Sequence, residues 1–435
     1  MRIGTLLFGL FVAAAAAAQT PLTRSDAVAR AWQNNLGLHV SRLQAESAGV
    51  NNVWGAAGAL PTVGLTSSLS TGVADQSRNP TSFIQARLGS QSFNAGANVA
   101  WTLYDGGGMF ATKRSLELLE EQAGGQADLL AEQTAAAVLL AYDAVLVQQA
   151  LVAVLEESIA LSRDRLAWTE ARTELGVAGT FDRLQFENAV LADSAALMQQ
   201  RLTVATSLRN LNRLMGDPED AVWTLTSALD VPAAAPALPA LRTEVLANSR
   251  AVRNAIFAQT LAETGIAQAE ARLYPVVGFA TTLSNSQSQF NVGDLEKSGA
   301  VLQASALLTL NFNLFNGGAT RRAIEQARIR TEIAGITVEN ERQEAARLLA
   351  DAHARLEFAL DLLRVARATS ENAAQLTTIG AERLSFGVLN SLNFRDLQLA
   401  LQRARVQELS AIQTARVAAT DIERLRGALA AASPL

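Results

Sequence analysis

The chain has 435 residues, 36 basic against 41 acidic for a formal charge of −5, and no cysteine. That balance, with no basic cluster, argues against a nucleic-acid surface, and the missing cysteines exclude disulfides and thiolate metal sites. Apolar residues make up 49% but aromatics only 5%, so Ala, Leu and Val must supply the burial, which suits long, closely packed helices.

Residues 1–18, MRIGTLLFGLFVAAAAAA, place one Arg before an apolar stretch and a small-residue run. This reads as a secretory signal peptide with cleavage before Gln19, since the stretch is shorter than the ~20 residues of a spanning helix. No Cys follows to take a lipid anchor. An exported chain is expected, with a helix from about 25 to 59 leading to Pro61.

Two runs of strict alternation follow. In the first, about 61–71, Val63, Leu65 and Leu69 share one face, and Thr62, Thr66, Ser68 and Ser70 the other. In the second, about 91–104, Phe93, Ala95, Ala97, Val99, Trp101 and Leu103 oppose Asn94, Gly96, Asn98 and Thr102. A period of two is the signature of a strand. Such lengths match the 9 to 11 residues that cross a bilayer at a tilt, with Trp101 and Tyr104 placed as an aromatic girdle at the interface. Gly106 and Gly107 follow and let the backbone bend from strand to helix.

From 108 to about 174 there is no proline. Val138, Ala141, Val145, Gln148, Val152, Leu155, Ile159, Ser162 and Leu166 step by three and four, a coiled-coil seam with two polar departures, Gln148 and Ser162. Its most apolar stretch, 138–155, contains Asp143, Gln148 and Gln149, which are costly in lipid and point to a packed helix. Glycines at 176 and 387 mark a tip roughly 100 Å from the strands if each long helix is continuous at 1.5 Å per residue. A return helix over 181–213 leads to VPAAAPALPALR, whose prolines read as a linker, 231–241.

The second half repeats the first. With a shift of 211 to 214 residues, Asn34 meets Asn248, Pro61 meets Pro275, WTLYDGG meets FNLFNGG, and GVAGTFD meets GVLNSLN. Strands are expected at about 275–285 and 301–315, the latter ending in Phe312 and Phe315 ahead of a turn through Gly317 and Gly318. The second long seam runs Ala345, Leu349, Ala352, Leu356, Ala359, Leu363, Ala366 and Ala373, and a return helix covers 392–427. The domain reading is a first repeat over 19–230, the linker, a second repeat over 242–430, and a tail at 431–435. Four strands cannot close a barrel, so several copies must share one, two giving eight strands and three giving twelve.

The Pro-headed strands, the aromatic-Asp/Asn-Gly-Gly turns, the two halves and the tip segments ELGVAGTFDRLQFENA and RLSFGVLNSLNFRDLQLA together resemble the TolC-like outer-membrane efflux protein family. The resemblance covers nearly the whole chain after the signal. It implies an α+β membrane protein built as a duplicated helix-strand-strand-helix-helix unit. In the family a homotrimer's twelve strands, four per chain, form one barrel in outer-membrane lipid, continuous with a long periplasmic α-helical coiled-coil barrel. It implies as partners a periplasmic adaptor (membrane fusion) protein and an inner-membrane pump or ABC transporter. The channel would then be the exit duct of a tripartite efflux or type I secretion system, passing small molecules or secreted proteins. By position, Asp182, Asn393 and Asp396 match the periplasmic pore constriction, Asn393 standing where the family often has Asp. Leu384 and Leu389 replace the tyrosine and arginine of its polar latch. Gly176, Val177, Gly387 and Val388 match the tip where adaptors dock.

No cofactor and no enzyme activity are expected. The two histidines, His39 and His353, lie in different halves and read as surface or packing residues, and the glycine pairs lack the Lys-Ser/Thr of a phosphate loop. The competing reading is a periplasmic adaptor or structural coiled-coil protein, whose strands would pack inward and need no detergent.

Overall fold

The computed structural model describes residues 20–176, 179–292 and 295–429. The signal segment, Val177 and the 431–435 tail lie outside the described residues. The elements run β1 (Thr20–Leu22), α1 (Arg24–Asn34), α2 (Leu36–Asn51), β2 (Thr62–Asp75), β3 (Arg87–Tyr104), α3 (Gly108–Glu174), α4 (Thr180–Met215) and β4 (Trp223–Leu225). Then follow α5 (Leu238–Asn248), α6 (Arg250–Ala271), β5 (Val276–Val292), β6 (Leu295–Asn311), α7 (Ala319–Ser385) and α8 (Ser391–Leu425).

The chain divides into two compact units, and each draws on both sequence repeats. One comprises the chain up to Val40, Asp128–Arg250 and the part from Gln343 on; the other comprises Ser41–Ala127 and Ala251–Arg342.

In the first unit the seams are buried as the periodicity requires. Val138, Val145, Leu155, Ile159 and Ser162 of α3 are inside, as are Leu349, Ala352, Leu356, Ala359 and Leu363 of α7. The polar departures have partners: Gln148 accepts a 2.6 Å bond from the Gln200 amide of α4, and Ser162 donates to Asp193. Tyr142 is fully buried and donates to the Leu22 carbonyl at 2.7 Å. Leu22 belongs to a short parallel pairing of β1 with β4, which the alternation rule misses because three residues carry no measurable period. His353 is buried, with Nε2 2.8 Å from the Pro236 carbonyl of the segment before α5. That helix begins at Leu238, inside the expected linker, because a proline in the first turn is compatible with helix.

The expected helix at 25–59 is interrupted, and so is its counterpart in the second half. Asn35 and Ser249 take extended backbone and close α1 and α5. The Asn35 side chain then accepts from the Leu38 N–H, stabilising the start of α2. The two breaks lie 214 residues apart, the shift that relates the two halves in sequence.

The second unit holds a four-stranded antiparallel sheet in the order β2-β3-β5-β6. All four strands extend further than expected at their loop ends, β2 to Asp75, β3 from Arg87, β5 to Val292 and β6 from Leu295. Ser, Asn and Gln rows such as Ser92 beside Ser288 keep the ladder where the hydrophobic signal has faded. At the other end β6 stops at Asn311 rather than 315. Asn311 is paired with Val276, and the next position along, Pro275, has no N–H to donate. Phe312 and Phe315 therefore lie beyond the strand.

Candidate functional site

The sheet has two chemically distinct faces. Neighbouring strands align Leu65, Ala97, Leu283 and Ala304 in one row, and Phe279 stands between Trp101 and Leu308 in another. The opposite face aligns Gly64, Asn98, Thr282 and Ser305, then Thr66, Gly96, Ser284 and Gln303. Among the described residues no side chain of these four strands is buried, and the apolar face is open: Leu65 is 87% exposed and Leu308 67%. A soluble sheet would hide such an apolar face in a core, so this one is made for a nonaqueous neighbour.

The inner end of the sheet carries a correction to the strand parity. A register shift between Thr102 and Tyr104 makes Tyr104, not Leu103, the partner of Val277, as an inserted bulge residue does. Trp101 donates its indole N–H to the Ala59 carbonyl at 2.9 Å. Past the strands, Gly106, Gly107, Gly317 and Gly318 all have positive φ between 63° and 89°. These are left-handed conformations that turn each strand into α3 or α7 and that favour glycine.

At the tip in the other unit, Gly176 and Gly387 also have positive φ, 74° and 73°. Asp182 lies half-buried in the first turn of α4 and accepts a 2.5 Å bond from the Ser391 hydroxyl at the start of α8. The Asn390 side chain caps α8 by accepting from the Asn393 N–H. Asn393 and Asp396 stand exposed, three residues apart on one face of α8, away from the buried Phe394. Val388 is also exposed. The described residues thus bring Asp182 to its own protomer's Ser391 and leave Asn393 and Asp396 facing outward.

Leu384 and Leu389, where the resemblance would place a polar latch, belong to an apolar core with Phe186, Phe394 and Trp168. Next to it lies a buried polar cluster that the sequence reading missed. Arg395 makes a two-pronged contact with Asp193, 2.6 and 2.9 Å, and Ser162 adds a third bond at 2.8 Å. Burial pushes the Asp193 carboxyl up, but the bonds from Arg395 and Ser162 outweigh it and hold the group below the usual carboxylate range. The cluster joins α3, α4 and α8 just behind the tip. The Ser162 interruption of the seam was its one visible signal.

Residues 241–428 match the family model described as outer membrane efflux protein. Over those residues the chain is similar to that family. Solved structures extend a likeness of fold to 93% of the chain. The Campylobacter jejuni CmeC outer membrane channel superposes with a TM-score of 0.75 at 14% identity, covering 93% of this chain and 85% of that one. The open state of the Neisseria gonorrhoeae MtrE outer membrane channel gives 0.71 at 18%, covering 93% and 89%. The outer membrane protein VceC of Vibrio cholerae gives 0.70 at 14%, covering 93% and 96%. No curated protein matches the chain by sequence. The chain therefore has the fold of these outer-membrane channels over 93% of its length.

Proposed function

We propose that this chain is an outer-membrane efflux channel, and that three copies of it close one twelve-stranded barrel and form the exit duct of a tripartite export system. The observation that carries this reading is the sheet's two free edges. Among the described residues β2 and β6 each pair on one side only, and about ten unpaired backbone groups per edge, at several kcal/mol each in hydrocarbon, would cost tens of kcal/mol. Edge pairing between copies removes that cost. Exposed apolar stripes on the helices fit the same assembly, Leu184, Leu191, Met198 and Leu202 on α4 and Phe358, Leu362 and Val365 on α7. They are spaced to form further seams between copies.

In this assembly the Ser, Thr and Asn face lines a wet lumen, with Lys297 near its loop end, and the apolar face meets lipid through Trp101, Tyr104, Phe312 and Phe315. Gly176, Val177, Gly387 and Val388 receive a periplasmic adaptor that links the channel to an inner-membrane pump or ABC transporter. Small molecules or secreted proteins then pass through. Three copies of Asp396, with Asn393 beside it and Asp182 behind, ring the periplasmic mouth and draw in cations, because like charges in a narrow pore are poorly screened.

The deciding experiment is the native mass in mild detergent, with bound detergent subtracted. A mass near three chains is expected; a soluble monomer would return the adaptor reading. In planar bilayers, Asp396→Asn is expected to lower cation-over-anion selectivity by a factor of two or more. Unchanged selectivity would remove Asp396 from the constriction.

A further inference from the structure

The duplication loses its symmetry where the helices enter the strands. α5 and α6 repeat α1 and α2 with the 214-residue shift, which would end α6 at Gly265, yet α6 runs on to Ala271. In the first half α2 stops at Asn51, and residues 52–61 instead make a surface turn through Gly58, whose φ is 81°. This turn carries Trp54, which packs edge-on against Phe110 of α3 with ring centroids 5.7 Å apart. Lys113 stands 5.8 Å over the Trp54 ring. Val53, Trp54, Leu60 and Phe110 remain between 43% and 62% exposed.

Two observations say what covers this patch. The indole of Trp101, which belongs to the apolar row of the sheet, donates to Ala59 within the turn, so the turn is tied to the same face that meets lipid. Its polar border is neutral: Lys113 and Arg114 both pair with Glu117, and Glu120 accepts from Asn52. An amphipathic aromatic cluster with a balanced charged rim, continuous with a bilayer-facing sheet, suits the headgroup zone of a membrane.

We propose that the turn at 52–61, together with Phe110, is a foot that seats in the phospholipid headgroup region at the helical end of the barrel. It anchors the first repeat at a depth that the second repeat, lacking the turn, does not share. Its occupant is a phospholipid leaflet, and because Lys113 and Arg114 are already paired the foot has no need of anionic lipid. This inference rests on the barrel reading above.

Tryptophan fluorescence of the full chain in bilayers brominated near the headgroup tests both and separates them. The wild type is compared with Trp54→Phe and Trp101→Phe, with Trp54→Tyr as a second variant should the first fold poorly. Each substitution is expected to remove a component that bromine quenches, and exchanging anionic for zwitterionic lipid is expected to leave quenching unchanged. If Trp101 is quenched and Trp54 is not, the turn faces the lumen or a neighbouring copy and the foot is overturned. If neither is quenched, the barrel reading falls as well.

Discussion

Arg416→Ala should destabilise the protein by about 3–5 kcal/mol, the usual cost of stripping one partner from a buried ion pair. Arg416 on α8 is 4% exposed and Asp143 on α3 is 2% exposed. Their contact is 2.8 Å, and a second guanidinium nitrogen donates to the Asp230 carbonyl at 2.5 Å. Arg24 holds the other carboxylate oxygen at 3.0 Å but is a third exposed at its side chain, so it cannot replace the buried charge. Without Arg416 the Asp143 carboxylate keeps one outer partner, and a backbone carbonyl loses its donor. Thermal unfolding of the detergent-extracted protein reads the loss. The double variant Asp143→Leu with Arg416→Met should recover more than half of it, because no charge then remains buried. A single-variant loss under about 1 kcal/mol would mean that the pair is only incidental.

Gly106→Ala should abolish assembly, whereas Gly317→Ala, its counterpart in the second half, should be tolerated. Both glycines have positive φ, so a Cβ costs about 1–2 kcal/mol at either position. Only at Gly106 does the new atom also collide with fixed structure, falling 2.3 Å from the Ala271 carbonyl oxygen and 2.7 Å from the Tyr274 Cβ. At Gly317 nothing lies within 4 Å. Backbone cannot swing aside as a flexible side chain would, so α6 and the strand turn would have to separate. The amount of heat-modifiable oligomer in outer-membrane fractions distinguishes the two variants, and equal yields would refute the packing argument.

Much of the architecture was legible because it rests on short-range periods. The alternation at 93–104 and the three-four steps at 138–166 depend only on neighbours a few residues away, and the recurrence of Pro-headed runs and Gly-Gly turns disclosed the duplication. Strand ends were less legible. Polar rows such as Ser92 and Ser288 pair as well as apolar ones, and β6 stops at Asn311 because of a proline on another strand.

The sequence by itself determined the two repeats, the strand faces, the long helices and their seams, because each is a pattern that a residue shares with its near neighbours. Only the tertiary structure decided which buried charges meet, Asp143 with Arg416 and Asp193 with Arg395, and that the compact units interleave the halves. It alone showed that the turn at Trp54 breaks the symmetry of the repeats. Such partners lie hundreds of residues apart, and their meeting depends on the path of the whole chain, which no local period records.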